Sequence, residues 1–595
     1  LLEGRARWFG TAVLGLILLA LSHNISMLIF VPTLGVYLLA LAWRHQLNWR
    51  LWLVRLGLLF ALGLGTTIFY TGGALLELNS VTLEQSTTTR NNDFRFNFST
   101  PAEILAPVAP EDPSLLNPPL PFRLGWVPLG LAVLGVAWAI FRRRQFPHEV
   151  QFHVWLMVLA TAVFLFMSLL ISQFIWEGLP LIDFVQFPWR FVGRAALPLA
   201  FLAGVPFFFF QRRGAEAQRI GWGGVGVALA VGLLVLEAIP TVYPNICREE
   251  PFPTINTVHQ YERETGLVGV DPEGSYFPRT VAQRPSSSPL EANYQANETP
   301  QRLDTAVLPP GTTIETVEYD KRGVTAVITS PEPFTARYRS FDFPGWVALV
   351  DGQLVPIRPE DPSGLITFPV PAGRHEVAVR WQSTPTRTAL LGLSIFSLAG
   401  VLVVVLVLSK TQSSVIGNRL SVIGKPANYQ LPITNYQLLL TVAALLIAGK
   451  FILDNTETPL RRVAGPEVDN TAVLQAAELR LDGYNLSKTA VPSGGTFDID
   501  LAWTATDHPR ARYQSNVWLV GPDGLTWSDL NTFRPRLYED APDTRAWLPG
   551  QWAWDSREVT VLRGTPPGQY NIVLTLFDFA TLQPITLLDA NGAVV

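Results

Sequence analysis

Long apolar runs alternate with polar stretches along the chain. They lie near Ile25–Trp43, Leu51–Tyr70, Leu124–Phe141, Val154–Ile171, Phe191–Phe210, Trp222–Pro240, Ala389–Leu408 and Leu438–Leu453. A helix needs about 20 apolar residues to cross a bilayer, because in lipid each backbone N–H and C=O must be satisfied inside the segment. The pattern predicts eight membrane helices, and a ninth if the shorter run Trp8–Leu21 crosses rather than re-enters. A buried core helix can imitate one such run, but no soluble core needs so many.

The positive residues set an orientation. Counting Trp8–Leu21 as the first run, Arg5 and Arg7 precede it, and Arg44 and Arg50 separate the second and third. Arg142, Arg143 and Arg144 follow the fourth, Arg212, Arg213 and Arg219 the sixth, and Lys410, Arg419 and Lys425 the eighth. Every second connection is thus basic and is predicted to be cytoplasmic. The others carry Glu77, Glu84, Asp93, Glu103, Glu111, Asp112, Glu177 and Asp183 and are predicted to lie outside. The expected domains are a helical region 1–240 with an outer loop 71–123, an outer β-rich domain 241–388, two helices within 389–453 joined by a cytoplasmic linker 409–433, and a C-terminal outer β-sandwich 454–595.

The period of two in the outer regions predicts strands at Thr325–Ile328, Thr335–Phe341, Trp346–Val350, Leu365–Val370 and Glu376–Trp381. Turn signals bound them at Asp351-Gly352, Pro362-Ser363-Gly364 and Pro371-Ala372-Gly373. Further strands are predicted at Phe497–Trp503, Asn516–Val520, Arg557–Leu562, Tyr570–Phe577 and Ile585–Leu588. The stretch Thr241–Arg302, rich in Pro, Ser and Asn, reads as extended and loop-rich. The fold class is a multi-spanning helical membrane protein with two outer all-β sandwich-like domains. The linker's repeats, Ser414-Val415-Ile416-Gly417 with Ser421-Val422-Ile423-Gly424 among them, read as a low-complexity insertion.

Composition narrows the function. Of 595 residues 48% are hydrophobic and 15% charged, against roughly 25% charged in soluble domains. A net charge of -4 provides no basic field for a nucleic acid. The single cysteine, Cys247, excludes an internal disulfide and a cysteine-built zinc site. No phosphate-binding glycine loop, HExxH or GxSxG motif occurs, so no cofactor is read from the residues and a divalent metal stays open.

The candidates for chemistry are therefore polar groups near the outer interface. Gln173–Arg194 mixes aromatics with charges and reads as an amphipathic stretch in the headgroup plane. Within it Arg190 and Arg194 share a helix face and suit a lipid phosphate. The competing reading is an anchor, with Trp189 in the aromatic belt and the arginines snorkelling. His23 and Asn24 sit between the first two runs, where His23 is either a phosphate or proton partner or a helix cap. Glu77, Glu84, Asp93 and Glu103 each suit a general base, and spacing selects none of them. In the last region Trp547, Trp552 and Trp554 read as loop tryptophans able to stack on glycan, whereas Trp503 and Trp518 read as core. A transporter would need charged or broken spans. Charge occurs only near span ends, at Arg55, Glu237 and Lys450.

Ser22-His23-Asn24, with Gln186-Phe187-Pro188-Trp189-Arg190-Phe191 opening a later span, resembles bacterial multi-spanning proteins described as 6-pyruvoyl-tetrahydropterin synthase-related. These look like members of the GT-C glycosyltransferase superfamily. Phe343-Pro344-Gly345-Trp346, Val350-Asp351-Gly352 and Val370-Pro371-Ala372-Gly373-Arg374-His375 are similar to the outer β-domain of YfhO-type membrane proteins. The resemblance implies transfer of a sugar from a polyprenyl-phosphate carrier to an envelope glycan or protein acceptor at the outer face, with membrane lipids as further partners. The superfamily's acidic base or metal partner follows its first span. Here that part is expected before Leu1, the chain reading as the C-terminal part of a longer protein, so no catalytic carboxylate is carried over. The alternative is a non-catalytic, membrane-anchored protein binding or building the envelope.

Overall fold

The computed structural model describes residues 6–83, 92–108, 112, 114–118, 122–207, 222–238, 254–265, 275–285, 287–415, 441–442, 444–446, 448–449, 465–529 and 541–595. The linker 416–433, the positive residues Arg5, Arg212, Arg213, Arg219, Arg419 and Lys425, and Glu84 and Glu111 lie outside them, as does most of the expected span Leu438–Leu453. The chain divides into two compact units. One comprises Leu1–Thr89 with Cys247–Ala427, the other Arg90–Ile246 with Asn428–Val595. The helices of the expected region 1–240 are therefore shared between the units.

In the first unit the helices are α1 (Ala6–Ser22), α2 (Asn24–Arg44), α3 (Trp49–Thr66) and α4 (Ile68–Leu76). In the second they are α5 (Trp126–Phe141), α6 (His148–Ser168), α7 (Arg190–Gly204) and α8 (Trp222–Ala238), and α9 (Pro385–Val415) returns to the first unit. Among the described residues five helices are long and apolar enough to cross a membrane: α2, α3, α6, α7 with the turn to Phe207, and α9 up to Ser409. Parts of α1, α5 and α8 are apolar but shorter. The run Leu51–Tyr70 is two helices, broken at the fully buried Thr67. The Phe69 N–H freed by the break donates to Ser394 Oγ of α9 at 2.9 Å, so this peptide group keeps a partner without water.

Small residues set the helix spacing. An added Cβ at Gly65 would meet Ser397 Oγ of α9 at 2.5 Å, and one at Gly135 of α5 would meet the Leu202 carbonyl oxygen of α7 at 2.1 Å. At Gly135 the obstacle is backbone, which cannot swing aside as a side chain can.

The first sandwich pairs a five-stranded sheet, β1 (Thr313–Asp320), β2 (Gly323–Ser330), β8 (Gly373–Trp381), β4 (Trp346–Val350) and β5 (Gln353–Val355), with the three strands β3 (Phe334–Phe341), β7 (Leu365–Val370) and β6 (Arg358–Pro359). All pairings are antiparallel. Val324, Ile328 and Val379 of one sheet and Tyr338, Ile366 and Phe368 of the other share one core. The turn Asp351-Gly352 joins β4 to β5 with φ of 51° and 75°, the two-residue geometry that asks for Asp-Gly. Upstream, the stretch expected to be loop-rich contains a helix, Ile255–Thr265. Its Val258, His259 and Glu262 bear a helical period that Pro-rich flanks obscure.

The second sandwich sets β13 (Trp552–Thr560), β11 (Thr496–Ala505), β10 (Leu479–Leu486) and β9 (Asn470–Ala476) against β12 (Tyr513–Val520), β14 (Asn571–Asp578) and β15 (Pro584–Ile585). Leu481, Ile499, Leu501, Val517 and Val559 fill its core. The loop before α5 joins this domain. Leu116 N–H donates to the Trp552 carbonyl and Trp552 N–H to that of Ser114, both at 2.9 Å. The Asn117 amide exchanges two bonds with the Trp554 backbone. Residues 114–117 thus cover the edge strand β13.

Two outcomes test this packing. Gly135→Ala is expected to cost about 1–3 kcal/mol by overpacking, seen as a lower thermal midpoint of the full chain in detergent. The second concerns His375 on β8, whose Nδ1 lies 2.6 Å from the Asp351 carboxylate. That bond, with help from the Ala372 carbonyl, raises the His375 pKa above its usual value, and the same bond holds Asp351 below its own. The stabilisation is complete below the unfolded histidine value of about 6.5 and is lost as pH rises through the raised one. A shallow loss of thermal stability above about pH 6.5, absent in His375→Gln, is the expected result.

Candidate functional site

The approach to α7 is built from a chain that cannot stay helical. Gln173–Gly178 forms a short helix, Ile182–Val185 a single 3-10 turn, and α7 begins at Arg190. Pro180 and Pro188 interrupt the helix. The expected amphipathic stretch Gln173–Arg194 is thus a short helix, a 3-10 turn and the first turn of α7. Leu181 and Gln186 take left-handed backbone, with φ of 68° and 61°. Such conformations cost about 1–3 kcal/mol each and gather where a structure clamps a ligand or a reacting group.

Packing of aromatic rings holds this bend. Trp176, 2% exposed, stacks on Phe94 at 5.4 Å and meets Phe98 and Phe191 edge-on. Its indole N–H donates to the Met167 carbonyl. Trp189 stacks between Phe122 and Phe187, at 4.6 and 5.3 Å. It is thus held by protein rings on two sides. Arg190 extends over the Phe187 ring at 4.6 Å and donates from Nη1 to the Val185 carbonyl at 2.8 Å. Arg194, half-buried, follows one turn later on the same helix face. Arg190 and Arg194 thus share one face at the head of an apolar helix, and Arg190 is fixed by a ring and a carbonyl. A planar fork so fixed loses little freedom on meeting a phosphate.

His23 and Asn24 belong to the other unit. His23 is the N-cap of α2, its Nδ1 accepting from Ser26 N–H at 3.2 Å, and Asn24 Nδ2 reaches Tyr70 Oη at 3.4 Å. Both are exposed. The imidazole thus performs the capping role that rivalled the chemical one.

The candidate bases hold the loops. Glu77 accepts from the Arg387 guanidinium at 2.6 Å, and Arg387 also lies over the rings of Phe343 and Trp381. Asp93 caps a 3-10 turn and pairs with Arg95. Glu103 closes a capping box with Thr100. Arg95 also lies 3.7 Å from Glu177, which accepts from Gln173. Among the described residues no three His, Cys, Asp or Glu side chains group as a metal site.

The tryptophan reading is corrected. Trp552 and Trp554 lie on β13, not in a loop, and Trp547 is 3% and Trp552 6% exposed. Trp547 belongs to the core and donates to the Pro542 carbonyl, and Trp552 donates to Asp112 at 2.8 Å. Neither has a face left for a sugar. Trp554, half-exposed, packs edge-on to Trp552. Trp503 is buried as expected. Trp518 points the other way, since Val517 and Leu519 take the core positions of β12. Spacing concealed two further groups. The Glu237 carboxylate caps α5, accepting from Trp126 and Val127 N–H at 2.5 and 3.0 Å, and loop residues 114–117 pair with β13. A lone carboxylate at a span end was the available signal for the first.

No family model, curated protein or solved structure matches the chain.

Trp547→Ala is expected to destabilise the second sandwich by about 3–5 kcal/mol, as loss of a large buried side chain does. Differential scanning of the full chain reads this. A variant of unchanged stability with lost glycan binding would restore the stacking role.

Proposed function

We propose that the chain is part of a multi-pass membrane transferase that binds the phosphate of a polyprenyl-linked sugar at the head of α7. The observation that carries this reading is the pair Arg190 and Arg194, one turn apart, with Arg190 set by Phe187 and the Val185 carbonyl beside two strained residues. The paired cations would hold the carrier phosphate while its chain stays in lipid. The β-sandwiches, on the outer side in this reading, would limit which envelope acceptor reaches the sugar. His23 caps α2 in the other unit, and this reading assigns it no step.

The engagement of Glu77, Asp93 and Glu103 in caps and ion pairs favours a second reading: a non-catalytic membrane-anchored envelope protein. The two readings part in one assay. Full-length protein in membranes is given a labelled polyprenyl-phosphate sugar, and transfer to envelope acceptor is followed. The transferase reading expects transfer that falls by roughly 100-fold or more in Arg190→Ala with Arg194→Ala, since each charged hydrogen bond is worth about 1.5–3 kcal/mol. Membrane insertion should be unaffected. No transfer by the unaltered protein supports the second reading, and transfer unaffected by the double change removes the arginine assignment.

A further inference from the structure

We propose that a groove between α5, α7 and α8 holds one acyl chain of an anionic membrane phospholipid, with the headgroup phosphate at Arg123. The groove has a volume of about 440 Å³, inside the range of about 300–1,000 Å³ usual for small-molecule sites. Leu131 of α5, Ala196 and Ala200 of α7 and Leu234 of α8 form its walls, and Phe207 lies toward its far end. It follows α7 from Val192 to Phe207, about 20 Å at 1.5 Å per residue. One leaflet of hydrocarbon is about 15 Å thick, so a single chain fits along it.

Three features select this occupant. First, α7 with its following turn is long and apolar enough to cross a membrane, and as a span it would set the groove in lipid. Second, the walls carry side chains without polar atoms, and a peptide laid there would leave its N–H and C=O groups unsatisfied. Third, the charge at the mouth is positive. Arg123, half-buried, donates from Nη1 to the Pro107 carbonyl at 2.7 Å. The Glu237 carboxylate at the same end is spent on the N-terminus of α5, and among the described residues no carboxylate pairs with Arg123. A guanidinium bonded through one nitrogen keeps donors for a phosphate. The proposal uses Arg123 rather than Arg190 and Arg194, so its failure leaves the transferase reading intact.

The test uses the full chain in vesicles carrying either phosphatidylglycerol or phosphatidylcholine with a diazirine on one acyl chain, and maps the labelled peptides by mass spectrometry. Phosphatidylglycerol is expected to label residues 192–207 several-fold more than phosphatidylcholine. Ala200→Trp fills the groove and should remove most of that label. Arg123→Gln, at the mouth, should bring the anionic lipid down to the neutral one, with labelling of α6 unchanged as a check on folding. Equal labelling by both lipids in the unaltered protein overturns the proposal, as does undiminished labelling in Ala200→Trp. Displacement of the probe by stoichiometric polyprenyl phosphate would also overturn it, assigning the groove to a carrier instead.

Discussion

A peptide group in hydrocarbon has no water to bond, and the helical half of the chain is arranged around that constraint. At three helix starts or breaks a specific side chain takes up the freed N–H. Ser394 does this for Phe69 at the break after α3, His23 for Ser26 at the start of α2, and Glu237 for Trp126 and Val127 at the start of α5. Two of these three side chains are ionisable. The polar residues near span ends are thus explained first by backbone bonding, and only what remains is open to chemistry.

The bend before α7 belongs to that remainder. Its backbone includes two left-handed residues without glycine, held by the stacked rings of Phe122, Trp189 and Phe187. Strain of this kind persists because packing over-determines it. A simple anchor lying in the headgroup plane has no need of it. Arg190 is the side chain the bend orients, which is why the phosphate reading rests there rather than on the acidic loop.

Much of the fold could be read from periodicity. Among the described residues most of the runs are helices, Leu51–Tyr70 being two, and β4 and β7 match their expected ends at Trp346, Val350, Leu365 and Val370. The failures have particular causes. β10 begins with the alternation Leu479-Leu481, but a bulge at Gly483 shifts the register and breaks the pattern. β1 is almost wholly exposed and carries little apolar signal. The candidate site was half legible. Arginines four residues apart advertise a shared face, but nothing in a sequence announces that Leu181 and Gln186 will turn left-handed. The tryptophans misled because a loop residue can be buried, as Trp547 is, and because the start of β13 pairs with a distant segment.

That partner has a consequence for how the second sandwich comes to exist. β13 ends its sheet, and open sheet edges recruit strands from neighbouring molecules. Here Ser114, Leu116 and Asn117 occupy the edge, and Asp112, 440 positions before Trp552, caps the indole that would otherwise be bare. The chain therefore makes its edge guard long before the strand it guards. A sandwich cut free from the helices would lose that guard, and its self-association would be a property of the excision rather than of the protein.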